Sequence, residues 1–172
     1  MDPFATLGLP ATFDLDAKDI ERRYRDLQRT LHPDRFVGAP APERRIALTK
    51  AVEVNEAYRT LRDDLARAKA LLALRGHDAA GDAPADPELL MEVMERREAL
   101  SEARSSSDLD AARRLGAEVQ RDADRARARL SDLFGKNAGL AEIAAVLTKM
   151  RYYRRFLDEV EVIEEEALTA SP

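Results

Sequence analysis

The sequence predicts an all-α chain in two parts, residues 1–76 and 87–172, joined by a linker over 77–86. Three observations carry this reading. Every long segment repeats its apolar residues at helical spacing, three to four apart. The passage from His77 to Asp86 holds small residues, Pro84 and three acids without apolar periodicity, as a boundary between compact units does. The composition, 35% charged and 5% aromatic, suits helices that are solvated on one face.

The chain opens with Phe4, Leu7, Leu9 and Phe13 among Gly8, Pro10 and turn residues, a short apolar lead-in that packs on later helices. A helix over 17–31 follows, with Ile20, Tyr24, Leu27 and Leu31 on one face and Asp14 or Asp16 as its cap. It must stop at Leu31–His32, because Pro33 disfavours helical geometry in the residue before it. After Gly38, Pro40 and Pro42 a second period begins at Ala47, Ala51, Val54, Tyr58 and Leu61, giving a helix over 42–61. Asn55 falls on its flank and is expected to bridge to backbone. Leu65, Ala68, Leu71 and Leu72 mark a further short helix that ends at Gly76.

Three long patterns fill the second part. The first, 87–104, starts at Asp86-Pro87, a cap followed by proline at the first helical position. The second, 108–134, lies between Ser105-Ser106-Ser107 and the Gly135–Gly139 break. The third, 140–168, places Ile143, Val146, Met150, Tyr153, Leu157 and Val160 in a heptad-like seam. One apolar stripe per helix and short turns predict an antiparallel three-helix bundle.

Composition excludes several chemistries. There is no cysteine, so no disulfide, thiol chemistry or cysteine zinc site exists in this chain. With only His32 and His77, no metal or other cofactor is expected. No run reaches the ~18 apolar residues of a membrane span, and Met1-Asp2-Pro3 lacks the basic start of a secretory signal, so no membrane association and a cytoplasmic location are expected. The net charge of −5 is uneven: residues 1–76 carry 14 Lys/Arg against 12 Asp/Glu, and residues 77–172 carry 14 against 21. Two halves with different fields suit an adaptor between two partners better than one catalytic cleft.

Two stretches stand out. His32-Pro33-Asp34 sits at the tip of the predicted helical hairpin, presenting an imidazole, a stiff turn and a carboxylate together. Around it lie Arg22, Arg25, Arg29 and Arg35. These arginines have two readings, a solvated surface with pairs such as Arg22–Asp26 and Arg25–Glu21, or a basic stripe for an acidic partner. The intervening acids and the isoelectric point near 5.2 argue against nucleic acid as that partner. An acid–base role for His32 and Asp34 lacks a surrounding cleft, nucleophile or phosphate loop, so no enzyme is expected. The second stretch is on the helix at 87–104. With Val93 set at 0° and about 100° per residue, Leu89 and Leu100 lie near the seam, Leu90 at about 60°, Met94 at about 100° and Met91 at about 160°. Met91 falls among Glu95, Glu98 and Glu102. Such a strip either covers a bend in the fold or docks a partner, the acids selecting a basic one. Tyr152 and Phe156, displaced from the third seam, extend the patch in the docking reading.

These stretches, with three others, resemble the HscB type of J-domain co-chaperone that serves iron–sulfur cluster assembly. The opening Asp2-Pro3-Phe4-Ala5-Thr6-Leu7-Gly8-Leu9-Pro10, the run from Tyr24 to Phe36 through His32-Pro33-Asp34, Asn55-Glu56-Ala57-Tyr58-Arg59-Thr60-Leu61, Arg67 to Gly76, and Leu90-Met91-Glu92 with Glu95 and Glu98 carry the match. Two departures stand beside it: the N-terminal cysteine pair of some relatives is absent, and Asp63-Asp64 replaces a frequent Asp-Pro. The resemblance implies an L-shaped protein with an N-terminal J-domain over 1–76 and a C-terminal three-helix scaffold-binding domain over 87–172. It implies that His32, Pro33, Asp34, Arg22, Arg25, Arg29 and Arg35 meet an HscA/DnaK-type ATP-dependent chaperone and stimulate its ATPase. Leu90, Met91, Met94, Glu95, Glu98, Glu102 and Tyr152 would bind an IscU-type iron–sulfur scaffold for delivery. ATP and magnesium belong to the partner. The nearest alternative is a general J-domain co-chaperone for unfolded clients.

Overall fold

The computed structural model describes residues 1–77 and 86–170, and among these the chain is helical throughout with no strand. The expected linker lies outside the described residues, apart from exposed His77 and Asp86. The chain divides into two compact units, Met1–Ala80 and Gly81–Pro172.

In the first unit, α1 (Pro3–Leu7) begins where Asp2 Oδ1 accepts the N–H groups of Phe4 (2.9 Å) and Ala5 (3.2 Å). It ends at Gly8, whose φ of 63° lets Leu9 N–H reach back to the Phe4 carbonyl. This one-turn helix buries Phe4 and Leu7, and Phe13 follows them into the core. Helix α2 (Ala17–Leu31) is capped by Asp16, whose carboxylate accepts Lys18 N–H at 2.8 Å. Of its apolar face, Ile20 is buried and Tyr24, Leu27 and Leu31 are half-buried. A 3₁₀ turn, Pro33–Phe36, leads to α3 (Ala41–Arg62), which buries Ala47, Val54, Ala57 and Leu61. Helix α4 (Asp64–Leu74), capped by Asp63, closes the unit with Leu65, Ala68, Leu71 and Leu72. Its end is sealed by Gly76 (φ 80°), where His77 N–H bonds to the Leu72 carbonyl.

One buried charge organises this core. Arg67 on α4 is 3% exposed and donates to two backbone carbonyls, Leu61 and Phe13, each at 2.7 Å. Its guanidinium also lies 3.1 Å from Asp64 and 5.5 Å from the Phe13 ring centre. It thereby ties the irregular lead-in and the end of α3 to α4, satisfying carbonyls that no helix supplies with a partner.

The second unit is the expected three-helix bundle of α5 (Pro87–Ser105), α6 (Leu109–Gly135) and α7 (Leu140–Ala170). Asp86 caps α5 through Glu88 N–H, and Asp108 caps α6 through Ala111 N–H. The two turns rest on the left-handed residues Ser107 (φ 56°) and Asn137 (φ 50°), while Gly135 remains within α6. Leu100, Ala103, Ala112, Val119, Tyr153, Phe156, Val160 and Ile163 form one apolar cluster. Phe156 therefore belongs to the core, against the expectation that it extends an exposed patch, and Leu147 is buried where Val146 was expected. The α7 face turns inward along Ile143, Leu147, Met150, Tyr153, Phe156, Val160 and Ile163, steps of three and four that keep pace with a supercoiled neighbour. Gly116 lets α6 approach α7 closely: a Cβ there would lie 3.1 Å from Val160 Cγ1. Ion pairs fasten the rims, with Arg97–Glu159 and Arg104–Glu166 joining α5 to α7 and Arg113–Glu164 joining α6 to α7.

Candidate functional site

The tip of the first unit is built by local chemistry. Pro33 halts α2, leaving His32 extended (φ −59°, ψ 132°), and the chain turns at once into the 3₁₀ segment. His32 Nδ1 lies 3.3 Å from Asp34 N–H and 3.4 Å from Asp34 Oδ2. An unprotonated Nδ1 accepts the N–H as a cap; a protonated one pairs with the carboxylate. The Asp34 side chain is 85% exposed, so its carboxylate faces solvent as a free acceptor. A turn that caps itself keeps this acid in a fixed place without burying it.

The arginines expected around the tip are exposed, but three of them are already paired along α2. Arg22 pairs with Asp19 (2.7 Å) rather than Asp26, Arg25 with Glu21 (2.7 Å), and Arg29 takes Asp26. Both expectations are thus partly met: the surface is self-paired, and it still carries Lys18 and four arginines against three acids. Exposed pairs of this kind hold by well under 1 kcal/mol, so an acidic partner can exchange into them. Arg35 has no ion pair among the described residues.

Behind the arginines lies a polar latch that the sequence did not announce. Tyr24 and Tyr58 stack with ring centres 4.0 Å apart and planes 12° from parallel. Tyr24 O–H donates to Asn55 Oδ1 (3.0 Å) and receives Gln28 Nε2 (2.6 Å), so Asn55 bonds to side chains across the hairpin, not to backbone. Tyr58 O–H donates to Glu21 Oε2 at 2.8 Å, while Arg25 holds the other oxygen. The Tyr58 hydrogen bond, then Arg25, draws the Glu21 carboxyl below its ordinary pKa, and the same bond raises Tyr58. The latch fixes α2 against α3 immediately behind the arginine surface. The one signal available was that Tyr24 and Tyr58 fall on facing apolar stripes.

On the second unit, α5 exposes Leu90 (42%), Met91 (63%) and Met94 (70%), with Glu95, Glu98 and Glu102 exposed beside them. Single exposed apolar residues are ordinary; three within five positions on a capped helix, among acids, form a patch. Tyr152 is half-buried and lines a small cleft with Val93, Arg96, Arg97, Arg155 and Phe156, which places it beside the inner edge of α5 rather than beside Met91. Arg96 forms the back of this cleft. Desolvation lowers its pKa, but hydrogen bonding to Asp122 and the charges of Glu92 and Asp122 outweigh that and hold it above its ordinary value. Its Nη1 lies 2.9 Å from Glu92 without hydrogen-bond alignment, an ion contact only.

Comparison with known proteins now decides the family. A DnaJ domain model matches residues 2–70, and one described as the HSCB C-terminal oligomerisation domain matches residues 85–161. The co-chaperone protein HscB homolog of Burkholderia multivorans is 42% identical over 160 residues, covering 91% of this chain and 90% of that protein. The chain belongs to the HscB co-chaperone family. The Aliivibrio fischeri HscB homolog is 34% identical over 171 residues, 98% of this chain and 99% of that one. Among solved structures, chaperone HscB from Vibrio cholerae matches with a TM-score of 0.85 and 32% identity over 96% of this chain and 99% of its own. Human co-chaperone protein HscB matches with a TM-score of 0.86 and 28% identity, over 95% and 82%. For this HscB-family chain, the first unit coincides with the DnaJ match and the second with the HSCB match. Among the described residues no helix is long and apolar enough to cross a membrane.

Proposed function

We propose that residues 1–76 act as a J-domain that stimulates ATP hydrolysis by an HscA/DnaK-type chaperone. Residues 87–172 then bind an IscU-type scaffold and bring it to that chaperone, in the service of iron–sulfur cluster assembly. The observation that carries this reading is the self-capped, solvent-facing His32-Pro33-Asp34 turn beside the α2 arginines. Arg22, Arg25, Arg29 and Arg35 steer the hairpin onto an acidic surface of the ATPase, a contribution that raises the association rate and weakens with salt. Asp34 accepts a charge-assisted hydrogen bond there, made better in the hydrolysing conformation, and so shifts the ATPase toward it. His32 and Pro33 hold that carboxylate in place, and the chain itself performs no catalysis. Leu90, Met91 and Met94 supply apolar anchors for the scaffold; Glu95, Glu98 and Glu102 select its basic residues, and Tyr152 adds an aromatic contact from the cleft at the inner edge of α5.

The test is steady-state ATPase stimulation of the purified chaperone, with and without scaffold. Asp34→Asn keeps the turn and removes the charge: stimulation falls to the unstimulated rate while scaffold binding persists. Stimulation at the wild-type level by this variant rules the assignment out. Met91→Ala with Met94→Ala weakens scaffold binding and leaves scaffold-free stimulation intact. If the double variant binds scaffold normally yet loses unfolded clients, the general co-chaperone reading replaces this one.

A further inference from the structure

We propose that the cleft beside Tyr152 is an anchor subsite on the scaffold-docking face. It takes an acidic side chain next to an apolar one, with Arg155 receiving the carboxylate. This rests on the reading of α5 as the docking face and names the second half of the partner's chemistry. The cleft has an apolar floor, Val93 and Phe156, and a basic rim, Arg97 and Arg155. Arg96 is committed to Asp122 and Glu92, and Arg97 to Glu159. Arg155, exposed at the mouth, makes no ion pair among the described residues, so it is the rim cation open to a carboxylate. A guanidinium favours a planar, two-pronged acceptor, and the neighbouring apolar floor rewards a side chain that carries hydrocarbon beside its charge.

Continuity with the α5 strip places both features under one partner. Seven residues separate Leu90 from Arg97, about 20° around the helix and about 10 Å along it. Leu90 and Arg97 therefore lie in line along α5, so the cleft adjoins the Leu90 edge of the strip, within the span of a single docked segment, while Met91, Glu95, Glu98 and Glu102 lie farther round the helix. The charges of strip and cleft are opposite: Glu95, Glu98 and Glu102 ask for a basic neighbour, and Arg155 asks for an acidic one. A segment of mixed sign fits in one orientation only, which the glutamates alone do not enforce.

The experiment is isothermal titration of the full chain with a purified IscU-type scaffold at low and at physiological salt. Arg155→Ala binds about tenfold more weakly, a hot-spot-sized loss, with a shallower salt dependence. Arg155→Lys recovers part of the affinity, and Arg155→Glu is weaker than Arg155→Ala. Replacing the scaffold's exposed acids one at a time by Lys restores binding to Arg155→Glu at one position. Arg155 is exposed and makes no ion pair among the described residues, so the variants melt as wild type, and a binding loss is read directly. Wild-type affinity of Arg155→Glu overturns the subsite. The Met91→Ala, Met94→Ala double variant separates the two ideas: if it binds weakly while Arg155→Glu binds normally, only the subsite fails. If both bind normally, the docking face itself is wrong.

Discussion

The two units expose their candidate surfaces by opposite means. In the first, an acid is held at the end of a helix by a turn that caps itself, and the helices behind it are joined by hydrogen bonds between side chains. In the second, apolar residues ride on the outer face of a helix whose inner face is locked into a regular seam. Under the proposed roles, the first arrangement would concentrate function in one carboxylate, which a single isosteric change would abolish. The second would spread function over area, with graded losses. The same contrast runs through their cores: polar ties organise one, repeated apolar packing the other.

Arg67 is the sharpest place to break the polar core. Arg67→Ala removes the donor to the Leu61 and Phe13 carbonyls, leaving the Phe13 carbonyl to its bond from Leu15 N–H, and opens the space the guanidinium fills, at a cost of about 3 kcal/mol. Residue-resolved hydrogen exchange on the full chain would show lost protection across α1, α3 and α4, with α6 and α7 unchanged. Equal loss in both units would erase the contrast. The corresponding strike on the apolar core is Gly116→Leu, which forces a side chain into the space held by Val160 and costs about 2 kcal/mol. Here protection falls along α6 and α7, and shortening Val160 to Ala in the same chain returns part of it.

What could be read beforehand follows from this contrast. Helix positions and caps are local, so Asp16, Asp86 and the Gly76 stop were visible in the order of residues, as was the exposure of Leu90, Met91 and Met94 around α5. The α7 seam was legible only to within one residue. Between Phe156 and Leu157 the spacing rule is indifferent, and the packing against α5 and α6 made the choice. Contacts between distant side chains leave almost no periodic trace. Arg67 looks like one more surface arginine until Phe13 needs its carbonyl satisfied, 54 residues away. Likewise Glu21 reads as an ordinary acid near the start of α2, although Tyr58 claims it across the hairpin. The pairing Arg22–Asp26 was equally allowed by spacing; Arg29 competes for Asp26 and wins it.

That competition for acids also sets the smallest effect, a pH dependence belonging to the latch. The Tyr58 hydrogen bond and Arg25 hold the Glu21 carboxyl below its ordinary value of 4.5. The folded state therefore prefers the ionised form. This contribution is complete above the unfolded value, and it is lost as pH falls through the lowered folded one. Asp132, drawn down by Lys136 one turn along α6, has the same sign but joins no two helices. Glu21→Gln thus lowers the unfolding midpoint of the first unit at neutral pH, and the gap from wild type closes as pH drops below 4.5, where wild-type Glu21 takes up its own proton. Thermal melts followed by hydrogen exchange at a series of pH values measure that closing. A gap constant with pH would mean that Glu21 acts through packing alone, and that the hairpin's polar latch gains nothing from its charge.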